Sequence, residues 1–219
     1  MARTWPYGRS AFGVLMLPSW LGFIVAGVVL LTLAGCVTAE NALSQSDIAG
    51  MKLTAVNVGF TPNAIVMWDE GERAYASAKA LPDEQLASAR RTQEFKDYVH
   101  GLLGARIKAG VEGALAGQLN GPRPVRLEIV VRRFQVPSVA SRVLIGWNPS
   151  MFASATLVDA RTGAVIVAHP DLEAFVPGGR GIIGTAVMAA MDSSMNQTPD
   201  GRLIARYGQV YREWLTHGA

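Results

Sequence analysis

Residues 95–119 read FKDYVHGLLGARIKAGVEGALAGQL. Phe95, Val99, Leu103, Ile107, Val111, Leu115 and Leu119 recur every four residues, and Tyr98, Leu102, Ala105 and Ala109 widen the stripe. Lys96, Asp97, Arg106, Lys108 and Glu112 fall mainly off it. The period is that of an amphipathic helix with one face turned to a core. Leu81-Pro82-Asp83-Glu84 opens the helical region, with acids in the first turn where the helix dipole favours them. Asn120-Gly121-Pro122 closes it. Gly110, Gly113 and Gly117 each weaken a helix by up to about 1 kcal/mol relative to Ala. Gly113 and Gly117 are spaced like a membrane dimer motif. Lys108 and Glu112 disfavour a spanning helix, so close approach to a sheet is the preferred reading.

The segments around this helix read as strands. Met51–Val58 is a first strand, on Leu53, Val56 and Val58. Phe60–Leu81 carries turn chemistry at Pro62, Asn63, Asp69, Glu70 and Gly71 around a short apolar patch, Ile65-Val66-Met67-Trp68. Val125–Val131 alternates as a strand with one buried face. Its phase slips at Arg132-Arg133, and an inserted residue would return Phe134 to the core side. Met151–Asp159 is a further strand, and Asp159-Ala160-Arg161-Thr162-Gly163 is hairpin turn chemistry. Ala164–Ala168 returns, with Leu172–Val176 a continuation or another strand. Helices follow at about 182–195 and after Thr198-Pro199-Asp200, which supplies an N-cap, an N1 proline and an early acid. Leu203, Tyr207, Val210, Tyr211, Trp214 and Leu215 form one face of the last helix. The expected fold is α+β: an antiparallel sheet of about four strands, packed by the long helix and two C-terminal helices.

Gly178-Gly179-Arg180-Gly181-Ile182-Ile183-Gly184 contains G-x-G-x-x-G. A dinucleotide site needs that turn inside a βαβ unit, with an acid near the end of the second strand. Two helices and no strand follow here, so no nucleotide is expected. The glycines are read as a sharp strand-to-helix turn. An anion contact at Gly179, Arg180 and Gly181 remains physically open.

The N-terminus sets the compartment. Arg3 and Arg9 precede an apolar run from Ala11 to Ala34, and Leu33-Ala34-Gly35-Cys36 ends it. A basic start, an apolar middle and small residues at a cut site describe a secretory signal. The alternative is an uncleaved membrane helix, for which the run is long enough. Either way the rest of the chain is expected outside the cytoplasm. Cys36 is the only cysteine among 219 residues, so no disulfide partner exists for it. The net charge of +3 falls to about +1 when Arg3 and Arg9 leave with the signal. No concentrated basic face remains, and nucleic acid is not expected as a partner. The domain reading is 1–35 signal peptide, 36–50 N-terminal tether, whose lipidation is implied by the lipobox resemblance given below, and 51–219 a single α+β domain.

Little chemistry is assembled in the sequence. His100, His169 and His217 are far apart and show no metal spacing, and no cysteine cluster or H-E-x-x-H occurs. Asp192, Ser193 and Ser194 lie in a helix without a histidine partner or a G-x-S-x-G elbow. Asp69/Glu70 reads as a solvated loop. No metal and no cofactor are expected, and the chain is expected not to be an enzyme. The long connection Pro137–Ser150 holds Arg142, Val143, Leu144, Ile145 and Trp147. These either cover the sheet or form a partner surface.

Two resemblances complete the reading. Leu33-Ala34-Gly35-Cys36 resembles the lipobox of bacterial lipoproteins. That likeness implies recognition of Leu33, Ala34 and Gly35 by signal peptidase, cleavage before Cys36 and diacylglycerol on its sulfur. Val37 in place of Asp after the cysteine implies the outer membrane by the sorting scheme of enteric bacteria. The run from Val125 through Arg133-Phe134, then Arg142, Gly146, Asp159–Gly163 and Gly178-Gly179, resembles a family of uncharacterised alphaproteobacterial lipoproteins. Asn63-Ala64-Ile65-Val66 and Trp68 extend it. A looser likeness is to small α+β lipoproteins that assist envelope transport or assembly machines. The implied protein is a periplasm-facing envelope lipoprotein, held to the membrane by its lipid and acting on an envelope protein partner. A carrier of a lipid or small apolar ligand is the alternative, and an unrecognised hydrolase the third reading.

Overall fold

The computed structural model describes residues 40–179, 181–194 and 198–217. The chain divides into two compact units, Met1–Thr38 and Ala39–Ala219, and the described residues belong to the second.

The elements run α1 (Gln45–Ala49), β1 (Met51–Trp68), α2 (Asp69–Ala78), α3 (Asp83–Ala89), α4 (Gln93–Leu115), β2 (Arg123–Val136), α5 (Val139–Ile145), β3 (Ser150–Asp159), β4 (Val165–Phe175), α6 (Gly181–Ser194) and α7 (Pro199–Leu215). The four strands form one sheet in the order β1-β2-β3-β4. This is a mixed α+β fold with a mostly antiparallel sheet. The departure from full antiparallelism is the first pair. β1 and β2 run parallel, with Met51 beside Arg123 and Val58 beside Ile129. Parallel neighbours need a long crossover, and α2, α3 and α4 supply it.

The four-residue stripe is the inner face of α4: Phe95, Val99, Leu103, Ile107, Val111 and Leu115 are all buried. Each such side chain contributes roughly 1.5–3 kcal/mol when removed from water. They pack against β1 and against α7, which turns Leu203, Tyr207, Tyr211 and Leu215 inward. α7 in turn lies on β3 and β4. On the sheet, Val125, Leu127, Ile129 and Val131 of β2 and Met151, Ala153, Ala155 and Leu157 of β3 fill the same core. The slip at Arg132 is a bulge: Val131 pairs with Ala153 but Arg133 with Phe152. It returns Phe134 to the core, at 0% exposure.

Several boundaries differ from expectation. The helical region is not one rod; Thr92 caps Phe95 N–H at 3.2 Å and starts α4 afresh after α3. The segment Phe60–Leu81, read as turn-rich, continues β1 to Trp68 and passes straight into α2. Pro62 and Asn63 do not end the strand, because residues 61–64 leave the ladder between Phe60 and Ile65 and the strand resumes. Close approach at Gly110 is to α7, where an added Cβ would collide with Ile204, not to the sheet; Gly104 is the glycine beside Val58 and Phe60 of β1.

Part of the expected tether is structured. Ser44 and Asp47 form a capping box at α1, and Ile48 is buried. Asn41 Nδ2 donates to Leu215 O at 2.6 Å, and Gln45 Nε2 to Thr216 O at 3.1 Å. These bonds satisfy carbonyls that the end of α7 leaves without helical partners. The N-terminal end of β1, the start of β2 and the β3–β4 hairpin lie together at this end of the sheet.

Candidate interaction surface

At the opposite end of the sheet, Gln135 pairs with Ser150 and Ser150 with Phe175. The connection from β2 to β3 there folds into α5, and Gly146 follows it with φ +70°. α6 packs against α5. The chain enters α6 through a turn in which Gly179 has φ +80°. A Cβ on Gly179 would collide with the backbone of Gly184, so the turn requires glycine. Asn148 Oδ1 accepts Gly178 N–H at 3.0 Å, and Pro149 O accepts Val176 N–H at 3.2 Å. These bonds tie the β3 and β4 ends into one base for the two helices.

The helices on that base are apolar outward. Leu144 is 83% exposed, Ile182 77% and Ile183 82%, and Phe175, Val187 and Trp147 are exposed beside them in sequence and fold. Among the described side chains of α6, the one buried is Thr185, at 4% exposure. Its Oγ1 finds no hydrogen-bond partner. α6 is therefore inverted: a hydroxyl points in and isoleucines point out. An isolated exposed isoleucine is ordinary, but here several exposed apolar side chains cluster on adjoining elements. Residues 181–190 include no charged side chain, so neither ion pairing nor proton transfer is available there.

The expected site residues separate as follows. Val143, Leu144 and Trp147 do lie together at this end; the side chains of Arg142 and Ile145 lie outside the described residues. Gly179 and Gly181 form the entry turn, with φ +80° and +66°, while Arg180 lies outside the described residues. Leu33, Ala34, Gly35 and Cys36 lie outside them as well. Phe175, Ile182, Ile183 and Val187 were not singled out by sequence reasoning. For Ile182, Ile183 and Val187 the signal was a helix with no charged residue over 181–190.

Other polar groups are committed structurally. Glu70 is not a free loop acid: Arg106 donates to Glu70 Oε1 at 2.5 Å and to Asp200 Oδ2 at 2.7 Å, with its guanidinium 5.0 Å from the Trp68 ring centre. His100 stacks on Phe60 with centroids 4.1 Å apart, and burial holds its pKa below the ordinary value. His169 meets Trp214 edge-on, and burial lowers its pKa too. His217 bonds Leu43 O at 2.8 Å. Among the described residues, no group of three or more His, Cys, Asp or Glu could hold a metal ion, and no helix is long and apolar enough to cross a membrane. The glycine turn is followed by α6 and α7 rather than by a parallel strand.

Residues 99–219 match a family of unknown function, DUF6778. The chain belongs to that family. The match covers the stripe of α4 from Val99 onward, all of β2 to β4 and the α5–α6 surface. No curated protein matches the chain. Similar solved structures include a candidate lipoprotein of Caulobacter crescentus CB15, 19% identical over 52% of this chain and 81% of that one, with a TM-score of 0.32. The PelC dodecamer of Paraburkholderia phytofirmans is 13% identical over 79% of this chain and 94% of that one, TM-score 0.35. A DUF330 protein of Xanthomonas campestris is 14% identical over 83% and 91%, TM-score 0.37.

Proposed function

We propose that this member of DUF6778 is a lipid-anchored envelope lipoprotein without enzymatic activity, which docks its α5–α6 end onto an envelope protein partner. Its role would be that of an accessory subunit in transport or assembly. The observation that carries the reading is the inverted α6, with Ile182 and Ile183 in water and Thr185 inside. The lipobox-like Leu33-Ala34-Gly35-Cys36 supports the anchor, and Val37 after the cysteine supports sorting to the outer membrane.

The geometry of the domain is consistent with that division of labour. Asn41 is bonded to the end of α7. Five residues of extended chain reach about 18 Å at most, so a lipid on Cys36 keeps that end of the domain near the bilayer. The apolar end lies the length of β2 away, about 45 Å for 14 residues.

Site-specific photocrosslinking in living cells tests this. A benzophenone amino acid at Ile183 should give a discrete heavier adduct with one envelope protein, and the same group at Arg206 on α7 should not. Cys36→Ser should shift the protein from the membrane to the soluble fraction and weaken the adduct. Equal, diffuse labelling from both positions would overturn the docking surface. Unchanged fractionation of Cys36→Ser would overturn the anchor.

A further inference from the structure

A chemically different site lies on the β1 side of the sheet. It originates in a local irregularity of β1: residues 61–64 stand opposite Arg132 alone, between the Phe60–Val131 and Ile65–Arg133 pairs. Bulges of this kind occur next to binding sites because they move side chains out of the sheet plane. Ala64, in the excursion, and Val66, just beyond it, line a cleft with Phe95 and Val99 of α4. Those four residues give it an apolar floor. Its volume is about 140 Å³, close to that of an engineered apolar cavity that accepts benzene. A diacyl lipid does not fit such a space.

The rim has the opposite character. Glu72 and Arg90 lie on it and neutralise each other in an ion pair. His100 lies on it too, stacked on Phe60 and kept neutral by burial near pH 7. Lys96 is exposed at the same rim, with no ion-pair partner among the described residues. Of the neighbouring acids, Glu94 is paired with Lys79 at 2.5 Å, and Asp97, which is not part of the lining, is held by Gln93 Nε2 at 2.7 Å. Lys96 is thus a lining cation without an ion-pair partner among the described residues, at the edge of an apolar floor that is open to solvent. Floor and rim together select a ligand with an apolar body and a single negative charge.

We propose that this cleft binds a small amphipathic carboxylate, one aromatic ring or a short alkyl chain in size, with its apolar part against Val66, Phe95 and Val99 and its carboxylate on Lys96. The site is separate from the α5–α6 surface and does not depend on the docking reading.

The test uses the full chain in detergent, with a detergent blank, titrated with 4-fluorobenzoate and followed by fluorine NMR. Saturable binding with a Kd of about 0.1–1 mM is expected for a ligand of this size. Lys96→Glu, a surface change that leaves the core untouched, should weaken it at least about tenfold. The neutral 4-fluorobenzyl alcohol should bind at least about tenfold more weakly than the acid. Ala64→Phe should abolish binding by filling the floor, and Ile183→Ser should leave it unchanged. Binding that does not saturate overturns the site. Equal binding of the alcohol, or an unaltered Kd in Lys96→Glu with an unaltered melting temperature, overturns the carboxylate assignment.

Discussion

α6 and α7 are consecutive helices of similar length, yet they are built on opposite rules. α7 alternates: Leu203, Tyr207, Tyr211 and Leu215 face the sheet and α4, while Arg206 and Glu213 pair with each other in water at 3.3 Å. It has an inside and an outside, and the fold supplies the inside. Over residues 181–190, α6 has no charged residue to turn outward, and Ile182 and Ile183 are among its exposed residues. A helix that is apolar all round belongs in a core or against a covering surface. The comparison teaches that periodicity reports how many sides of a helix are meant to be covered. For α7 the domain covers the one apolar side. For α6 the domain covers the side that carries Thr185 and leaves Ile182 and Ile183 exposed.

The sharpest way to break this comparison is to remove buried and exposed apolar groups in parallel. Leu103→Ala, in the fully buried stripe of α4, should cost about 2–5 kcal/mol, because the cavity adds to the lost transfer energy. Ile183→Ala should change stability by no more than about 0.5 kcal/mol, as surface substitutions do. Urea midpoints of the two variants decide it. A loss of several kcal/mol from Ile183→Ala would make α6 a core helix and remove the case for a partner.

A second experiment asks how closely α7 is seated. A Cβ on Gly208 would stand 2.6 Å from the Cβ of Ala114, whereas one on Gly113 would meet nothing. Gly208→Ala should therefore destabilise, since overpacking costs about 1–3 kcal/mol and outweighs the gain in helix propensity of about 1 kcal/mol. Gly113→Ala should stabilise by up to that same amount. Opposite signs in thermal unfolding would confirm that α4 and α7 are fitted glycine to helix; a shared sign would mean that the contact is loose.

These contrasts also mark what was readable beforehand. The α4 stripe was legible because six residues at one spacing allow a single orientation; the seventh, Leu119, is buried but lies beyond the end of the helix. The bulge at Arg132 was legible because Phe134 had to be buried and could not be otherwise. Parallel pairing of β1 with β2 was not, since strand order is decided by which surfaces meet after the crossover. Pro62, Asn63 and the run Asp69-Glu70-Gly71 misled for a different reason. Turn-forming residues also serve in a strand excursion and in a helix first turn, and local chemistry does not distinguish these uses. Part of the exposed apolar end was visible in Val143, Leu144 and Trp147. The other part, Ile182 and Ile183, sat in a helix whose composition reads as interior, and exposure is a tertiary property. The cleft was hidden for the same reason: Ala64 and Val99 are brought together only by the course of β1 over α4.

The smallest effect compares the two ends of the sheet by their response to acid. At the hairpin end, Asp159 Oδ2 accepts Arg123 Nε–H at 3.0 Å, and Oδ1 accepts the backbone N–H of Thr162 at 3.1 Å and of Arg161 at 3.0 Å. The Arg123 bond, followed by the two backbone bonds, holds its pKa at about 2, below the ordinary 3.8. A carboxylate whose pKa is lower in the folded state stabilises that state above the unfolded value. Its contribution is fully present above about pH 4 and is lost as pH falls towards 2. Asp159→Asn should therefore be less stable than the natural protein at pH 7, with a difference in urea midpoint that narrows below pH 4 and closes near pH 2. At the other end, residues 181–190 carry no group that titrates in this range. The small difference between Ile183→Ala and the natural protein should stay constant over the same pH series. A gap for Asp159→Asn that does not close on acidification would show that the charge on Asp159 contributes nothing and that the difference comes from the shape and hydrogen bonding of the side chain in the turn.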